Sequence, residues 1–195
     1  MIVSASPTDH ADVVESLAQA FQTDPALSWI VQDGERRKSV LRGLFRSVVP
    51  ADANAGFAAR SNGNESAALW RKPGHASAGT MEFLSSLFPM MAVFRSTLPR
   101  ALTISKGITA HRPEGHYWYL HYIGVRPVHQ GKGFGGKLIR ERIAVADEAG
   151  LPCWLETATP ENVGLYQRFG FAIANEWDVP DGGPHFWGMM RPVGG

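Results

Sequence analysis

The sequence predicts a mixed α/β fold, and two observations carry that prediction. Between residues 117 and 157 a strand pattern, a helix pattern and a second strand pattern follow one another, which is the order of a parallel βαβ unit. Ahead of that unit, amphipathic helical stretches flank a short hairpin, so helices and antiparallel strands must share one core. The bulk composition agrees. A chain of 195 residues suits a single domain, and 44% hydrophobic with 19% charged residues describes an ordinary globular core.

Each element has its own local reason. Val13, Leu17 and Phe21 recur at four-residue spacing behind Thr8 or Asp9 as cap, predicting a helix over Asp9–Gln22 that Asp24-Pro25 interrupts. Val40, Leu41, Leu44, Phe45 and Val48 define the apolar side of a second helix, Glu35–Val48, whose arginines form a solvated face. Gly56–Arg60 and Ala67–Arg71 read as strands, with Asn62-Gly63 as the hairpin signal between them. Residues 75–112 are helical in pattern and apolar in patches (Met81, Phe83, Leu84, Leu87, Phe88, Met90, Met91, Phe94, Leu98), and Pro89 and Pro99 break them into short helices. Tyr117–Val125 is a strand rich in aromatic and β-branched residues. Phe134–Ala149 keeps Leu138, Ile139, Arg142, Ile143 and Ala146 in helical phase, and Gly150 and Pro152 end it. Pro152–Thr157 is the parallel strand, Glu161–Phe169 a short helix closed by Gly170, and Phe171–Val179 and Phe186–Arg191 are closing strands around Gly182-Gly183-Pro184.

Several function classes are disfavoured by composition. With 19 Lys+Arg against 18 Asp+Glu, a net charge of +1 supplies no field for duplex nucleic acid or anionic lipid. The one cysteine, Cys153, makes neither an internal disulfide nor a multi-cysteine metal site. No cationic start leads into an apolar run, and no greasy stretch approaches the ~20 residues of a membrane span. The expectation is a soluble cytoplasmic domain with no metal, no nucleic acid and no membrane partner, acting on something small and free to form a homodimer.

The informative segment is His129-Gln130-Gly131-Lys132-Gly133-Phe134-Gly135-Gly136-Lys137-Leu138. Glycines between a strand and a helix let the backbone approach a ligand, and the helix start aims unpaired N–H groups at it, so the expected guest is anionic. Three patterns fit. Gly131-x-Gly133-x-x-Gly136 matches a dinucleotide fingerprint, with Glu156 about 20 residues on. Gly131-x-x-x-x-Gly136-Lys137 matches a nucleotide P-loop, but Leu138 replaces the hydroxyl residue that holds magnesium. Gln130-x-x-Gly133-x-Gly135 is the pyrophosphate loop of acetyl-CoA-dependent acetyltransferases. In a dinucleotide fold the first glycine follows the strand almost directly, whereas here Arg126 to Gln130 intervene, and the residues after Gly136 have room for three strands rather than a doubly wound sheet. The third pattern requires the spacer.

At these residues the chain resembles the GNAT (GCN5-related) N-acetyltransferase superfamily. The likeness runs through Ile123-Gly124-Val125-Arg126-Pro127-Val128-His129-Gln130-Gly131-Lys132-Gly133-Phe134-Gly135, then Leu155-Glu156-Thr157, Asn162, Tyr166 and Arg168-Phe169-Gly170-Phe171. A narrower likeness, to puromycin N-acetyltransferase-like members, shows at His111-Arg112-Pro113, Trp118 and Met190-Arg191-Pro192. The resemblance implies the acyl-CoA N-acyltransferase fold, a splayed mixed sheet of about six to seven strands flanked by helices. It implies one domain over 1–195, with 1–112 the acceptor-side half and 113–195 the acetyl-CoA-binding core. Acetyl-CoA would be the co-substrate. Amides of Gly131, Lys132, Gly133, Phe134, Gly135 and Gly136, with Gln130, would hold its pyrophosphate. Main-chain groups of Ile123, Gly124 and Val125 would pair with the pantetheine arm, and Asn162 would bond its amide.

The implied reaction is direct attack of a primary amine on the thioester through a tetrahedral intermediate, which needs a base and an acid. Tyr166 matches the family's usual acid. For the base, His121 lies four residues before Val125, where it resembles a strand histidine of serotonin N-acetyltransferase; imidazole chemistry suits the role. Glu156 is the second candidate, and Tyr119 stands where histone-type relatives carry a catalytic glutamate. The acceptor side would draw on Phe21, Asp24, Trp29, His185 and Trp187, an aromatic wall with one carboxylate. Two other readings remain open: a non-catalytic acyl-CoA sensor of the same fold, and a dinucleotide-binding oxidoreductase.

Overall fold

Local signals at the N-terminus set the first helices. Asp9 closes a capping box, its carboxylate accepting the Ser6 N–H at 2.9 Å and the Ser6 hydroxyl at 2.6 Å. A 3₁₀ turn at Pro7–Asp9 then leads into α1, His10–Ala20. In the computed structural model, which describes residues 1–76 and 88–195, α2 spans Pro25–Ile30 and α3 spans Gly34–Ala55. Asp24-Pro25 separates α1 from α2 as expected, and it also starts the second helix: Asp24 Oδ1 accepts the Leu27 N–H at 2.9 Å, and Pro25 occupies the first turn, where no N–H is needed. Helix α3 runs past the expected end at Val48 and through Pro50, because Val49 and Asp52 are buried on its inner side.

Seven strands form one sheet in the order β1-β2-β3-β4-β5-β7-β6: β1 Ile2–Ser4, β2 Gly56–Ser61, β3 Ser66–Arg71, β4 Trp118–Val125, β5 Cys153–Thr157, β6 Ala172–Asp178 and β7 His185–Arg191. The edge strand β1 has no three-residue signature that the sequence reading could use; it is defined by antiparallel pairing with β2. The β2–β3 hairpin falls where Asn62-Gly63 predicts it, but the left-handed residue of its turn is Asn64. All neighbours are antiparallel except β4 and β5, whose parallel link is made by α6, Phe134–Glu148. The remaining helices are α4 (residues 88–94), α5 Leu98–His111 and α7 Pro160–Gln167, with a 3₁₀ turn Arg95–Thr97 before α5. Pro99 opens α5 rather than ending it. Of the expected apolar patches, Met81, Phe83, Leu84 and Leu87 lie outside the described residues. Among the described residues, no helix is long and apolar enough to cross a membrane.

The sheet separates two cores. On one face α1 and α3 bury Val13, Leu17, Leu41, Phe45 and Val49 against Leu69 and Tyr122. On the other, Leu138 and Ile139 of α6 pack on Trp70, Leu120, Leu155 and Met189. A fully buried Leu or Phe contributes about 2 kcal/mol, whereas an exposed ion pair such as Glu15–Arg42 contributes under about 1 kcal/mol. Apolar burial therefore docks α1 and α3.

Two irregularities in β4 matter for the site. The β3 register moves from Leu69↔Tyr122 to Trp70↔Leu120, so His121 is an extra residue, a bulge. The bulge puts His121 and Tyr122 on the same face as Tyr119, whose ring lies 5.2 Å from the His121 ring. The parallel pairing with β5 covers Trp118, Tyr119 and Leu120 and stops there. Beyond Leu120 the two strands part.

Candidate active site

The glycine loop lies directly past the opened end of β4. A 3₁₀ turn over Pro127–His129 carries the chain to Gln130, whose side-chain amide donates to the Val125 carbonyl at 3.3 Å. Gly131 and Gly133 then adopt φ of +76° and +80°. That left-handed backbone turns successive N–H groups inward, and an L side chain would strain it. Gly133 is the N-cap of α6, no acidic residue stands in the first turn, and residues 130–133 are exposed. Lys132 Nζ donates back to the Val128 carbonyl at 3.0 Å, which keeps its cation beside the loop. Gly135 and Gly136 lie in the first turn, where a Cβ at Gly136 would meet the Phe169 ring at 3.0 Å. Such a loop, exposed and leading into a helix start, is a backbone setting that favours an anionic group.

The edge of β4 beyond Leu120 continues the cradle. Ile123, Gly124 and Val125 pair with Ala68, Ala67 and Ser66 of β3 on one side, while the side toward β5 has parted. Such an edge leaves backbone groups able to pair with an extended chain. Gly124 is needed for the fold as well, since a Cβ there would lie 2.6 Å from the Ala20 Cβ of α1. Asn162 is half-buried on the first turn of α7, the helix that follows β5.

Tyr166 is 5% exposed on α7, its ring edge-on to Phe171 at 5.9 Å. Burial pushes its hydroxyl up, and the charge of Asp24 adds to that. It is therefore a protonated donor at neutral pH. Asp24 itself is pushed up by burial against the opposing pull of the Leu27 and Ala26 N–H groups.

His121 and Glu156 occupy different settings. The His121 side chain is 26% exposed, and its Nδ1 lies 2.7 Å from Oδ2 of Asp52, which is 1% exposed. The other Asp52 oxygen is 3.0 Å from Nε of buried Arg71. Asp52 belongs to no sequence motif and lies within α3 beyond Pro50. Glu156 is nearly sealed: Oε1 accepts the Trp154 indole N–H at 2.6 Å and lies 3.5 Å from Arg112 Nε. The Arg112 guanidinium stacks over the Tyr119 ring at 4.4 Å and donates to its hydroxyl at 3.1 Å. Tyr119 is thus tied into that network, and burial first, then the Glu156 charge, raises its hydroxyl.

Tyr122 reports how these groups converge. Its hydroxyl is raised by burial and then by the charges of Asp52, Asp24 and Glu156, all on one face of β4. Its ring packs edge-on against Phe21 at 5.6 Å and Phe45 at 5.1 Å. Of the expected acceptor residues, Phe21 and Asp24 therefore meet beside the site. Trp29 lies beneath the Arg100 guanidinium at 5.1 Å. His185 is held by Asp178 at 2.8 Å and Glu176 at 3.0 Å, and Trp187 packs into the core on the other face of the sheet. Among the described residues no cluster of three or more His, Cys, Asp or Glu forms a metal site.

Comparisons with known proteins bear on the family and the fold. Residues 102–171 match the model of the acetyltransferase (GNAT) family. An uncharacterized N-acetyltransferase of Schizosaccharomyces pombe is 27% identical over 175 residues, spanning 84% of this chain and 70% of the relative. The structure of the histone acetyltransferase HPA2 and related acetyltransferase from Corynebacterium glutamicum aligns with a TM-score of 0.75 at 23% identity, over 99% of this chain and 96% of that one. Arylalkylamine N-acetyltransferase 2 from Aedes aegypti aligns at 0.67 with 15% identity, over 99% and 98%. The fold is shared with these acetyltransferases, and the family match and the yeast relative support the GNAT superfamily and acyl transfer in general.

Proposed function

We propose that the chain is an acetyl-CoA-dependent N-acetyltransferase acting on the primary amine of a small molecule. The observation that carries this reading is the continuity of two features: a cradle at Gln130–Gly136 with two left-handed glycines, and a β4 edge that opens immediately before it. A dinucleotide site would have no use for the opened edge, and its fingerprint would begin at the strand end.

The co-substrate supplies an acetyl group on a thioester, and the residues of this chain do the rest. Gln130 and the amides of residues 131–136 hold the pyrophosphate, Lys132 adds charge, and Ile123, Gly124, Val125 and Asn162 hold the arm. A main-chain N–H near Ile123 stabilises the negative charge that develops on the carbonyl oxygen. As the amine nitrogen forms its bond to the carbonyl carbon, His121 takes the amine proton at Nε2; as the C–S bond breaks, the Tyr166 hydroxyl gives its proton to sulfur. The two protons balance, and no enzyme nucleophile is required. Glu156, fixed by an indole N–H and a guanidinium, organises Arg112 and Tyr119 rather than receiving the proton. Asp24 beside Phe21 and Tyr122 favours an ammonium group carried on an apolar or aromatic body. The motifs around His111-Arg112-Pro113 support a place near the puromycin-type members, where Arg112 is the partner of Glu156.

An acceptor panel with thiol detection tests this: arylalkylamines, puromycin, polyamines, aminoglycosides and amino acids. Tyr166→Phe should lower kcat at least about tenfold on any accepted amine while leaving acetyl-CoA affinity within about twofold. Unchanged kcat removes Tyr166 from the acid role. Acetyl-CoA binding without turnover on any amine favours the acyl-CoA sensor.

A further inference from the structure

Asp52 is a buried carboxylate that motif, composition and family likeness all pass over. It sits on the α3 turn after Pro50, and its two oxygens have separate partners: Oδ1 faces Arg71 Nε on β3 at 3.0 Å, and Oδ2 faces His121 Nδ1 on β4 at 2.7 Å. A buried carboxylate without a countercharge is strongly destabilising. Arg71 supplies that countercharge, so the carboxylate does not depend on the imidazole for one. His121 is the extra residue of the bulge, placed on the face that α3 covers, and about a quarter of its side chain is exposed. With Nδ1 committed to Asp52, Nε2 is the nitrogen left to meet an incoming group.

The geometry points to Asp52 as a positioning residue for His121: it accepts the Nδ1–H, fixes the tautomer whose Nε2 is unprotonated, and stabilises the ring when that nitrogen takes a proton. The inference rests on the reading of His121 as the base. Among the described residues, the other titratable or charged groups around the ring are Tyr119 and Tyr122 on β4 and Arg71 on β3, with Asp24 and Glu156 reaching Tyr122 through their charge. None of them contacts Nδ1, so the carboxylate of Asp52 selects the tautomer.

Nitrogen-15 NMR of the wild-type imidazole tests the bond without any variant. Recorded at a pH where the ring is neutral, the spectrum is expected to show the proton on Nδ1; the Nε2–H tautomer overturns the proposal. Asp52→Asn should alter that tautomer balance and lower kcat about tenfold or more, with KM for acetyl-CoA within about twofold. The double variant Asp52→Asn/His121→Ala should be no slower than His121→Ala alone, as for residues acting through one another. An unchanged tautomer and kcat in Asp52→Asn, or an additive loss in the double variant, overturns it; if Asp52→Asn fails to fold, the wild-type spectrum decides. An Nδ1–H tautomer in a protein that acetylates no amine supports the hydrogen bond and overturns the acetyltransferase reading instead.

Discussion

Burial pushes the Cys153 thiol up to about 12, and Arg191 nearby only partly offsets it. A thiol so placed, fully buried in β5, carries almost no thiolate at neutral pH. Native protein should therefore show no reaction with Ellman's reagent over an assay, and one thiol per chain after denaturation. Rapid native labelling would contradict the placement of Cys153. At this same scale the two parts of the site differ in how they can be read. Gln130, Gly131 and Gly133 are legible because their chemistry is local: one loop, adjacent residues, a helix start. Asp52 is not, because its partner His121 lies 69 positions away and meets it only through a helix that continues past Pro50 and a strand that bulges.

Among elements, the pairing of α1 with α3 shows which forces dominate. Phe45 and Leu17 are fully buried between them, while Glu15 and Arg42 bridge the two helices at the surface at 2.8 Å. The Arg42 hydrogen bond holds the Glu15 carboxyl at about 2, against an ordinary 4.5. A folded-state value below the unfolded one means stability that is present above about 4.5 and lost as pH falls toward about 2. Because both side chains are about a third exposed or more, solvent screening reduces that stability to under about 1 kcal/mol. Glu15→Gln should thus cost under about 1 kcal/mol in urea denaturation at pH 7 and nothing at pH 2. An equal loss at both pH values would show that the ion pair is not the cause. Element boundaries were legible where periodicity and caps agreed, as in α6. At Asp24-Pro25 the break is legible but not that the same dipeptide caps the next helix, and β1 is not legible, because its three residues form a strand only where β2 accepts them.

For the whole molecule, the continuous sheet from β1 to β6 joins the loosely patterned first half to the legible second half. The α/β class could be read because the βαβ unit carries its order in the sequence. The strand order could not, since β7 lies between β5 and β6 through long-range pairing. The consequence for function is the parting of β4 and β5 after Leu120 and Leu155, which aligns an open strand edge with the glycine cradle. Calorimetric titration of the purified chain with acetyl-CoA, NADH and ATP tests that alignment most directly. Saturable binding of acetyl-CoA at one site per chain, with neither NADH nor ATP competing, is the predicted result; binding of NADH or ATP without binding of acetyl-CoA would contradict it.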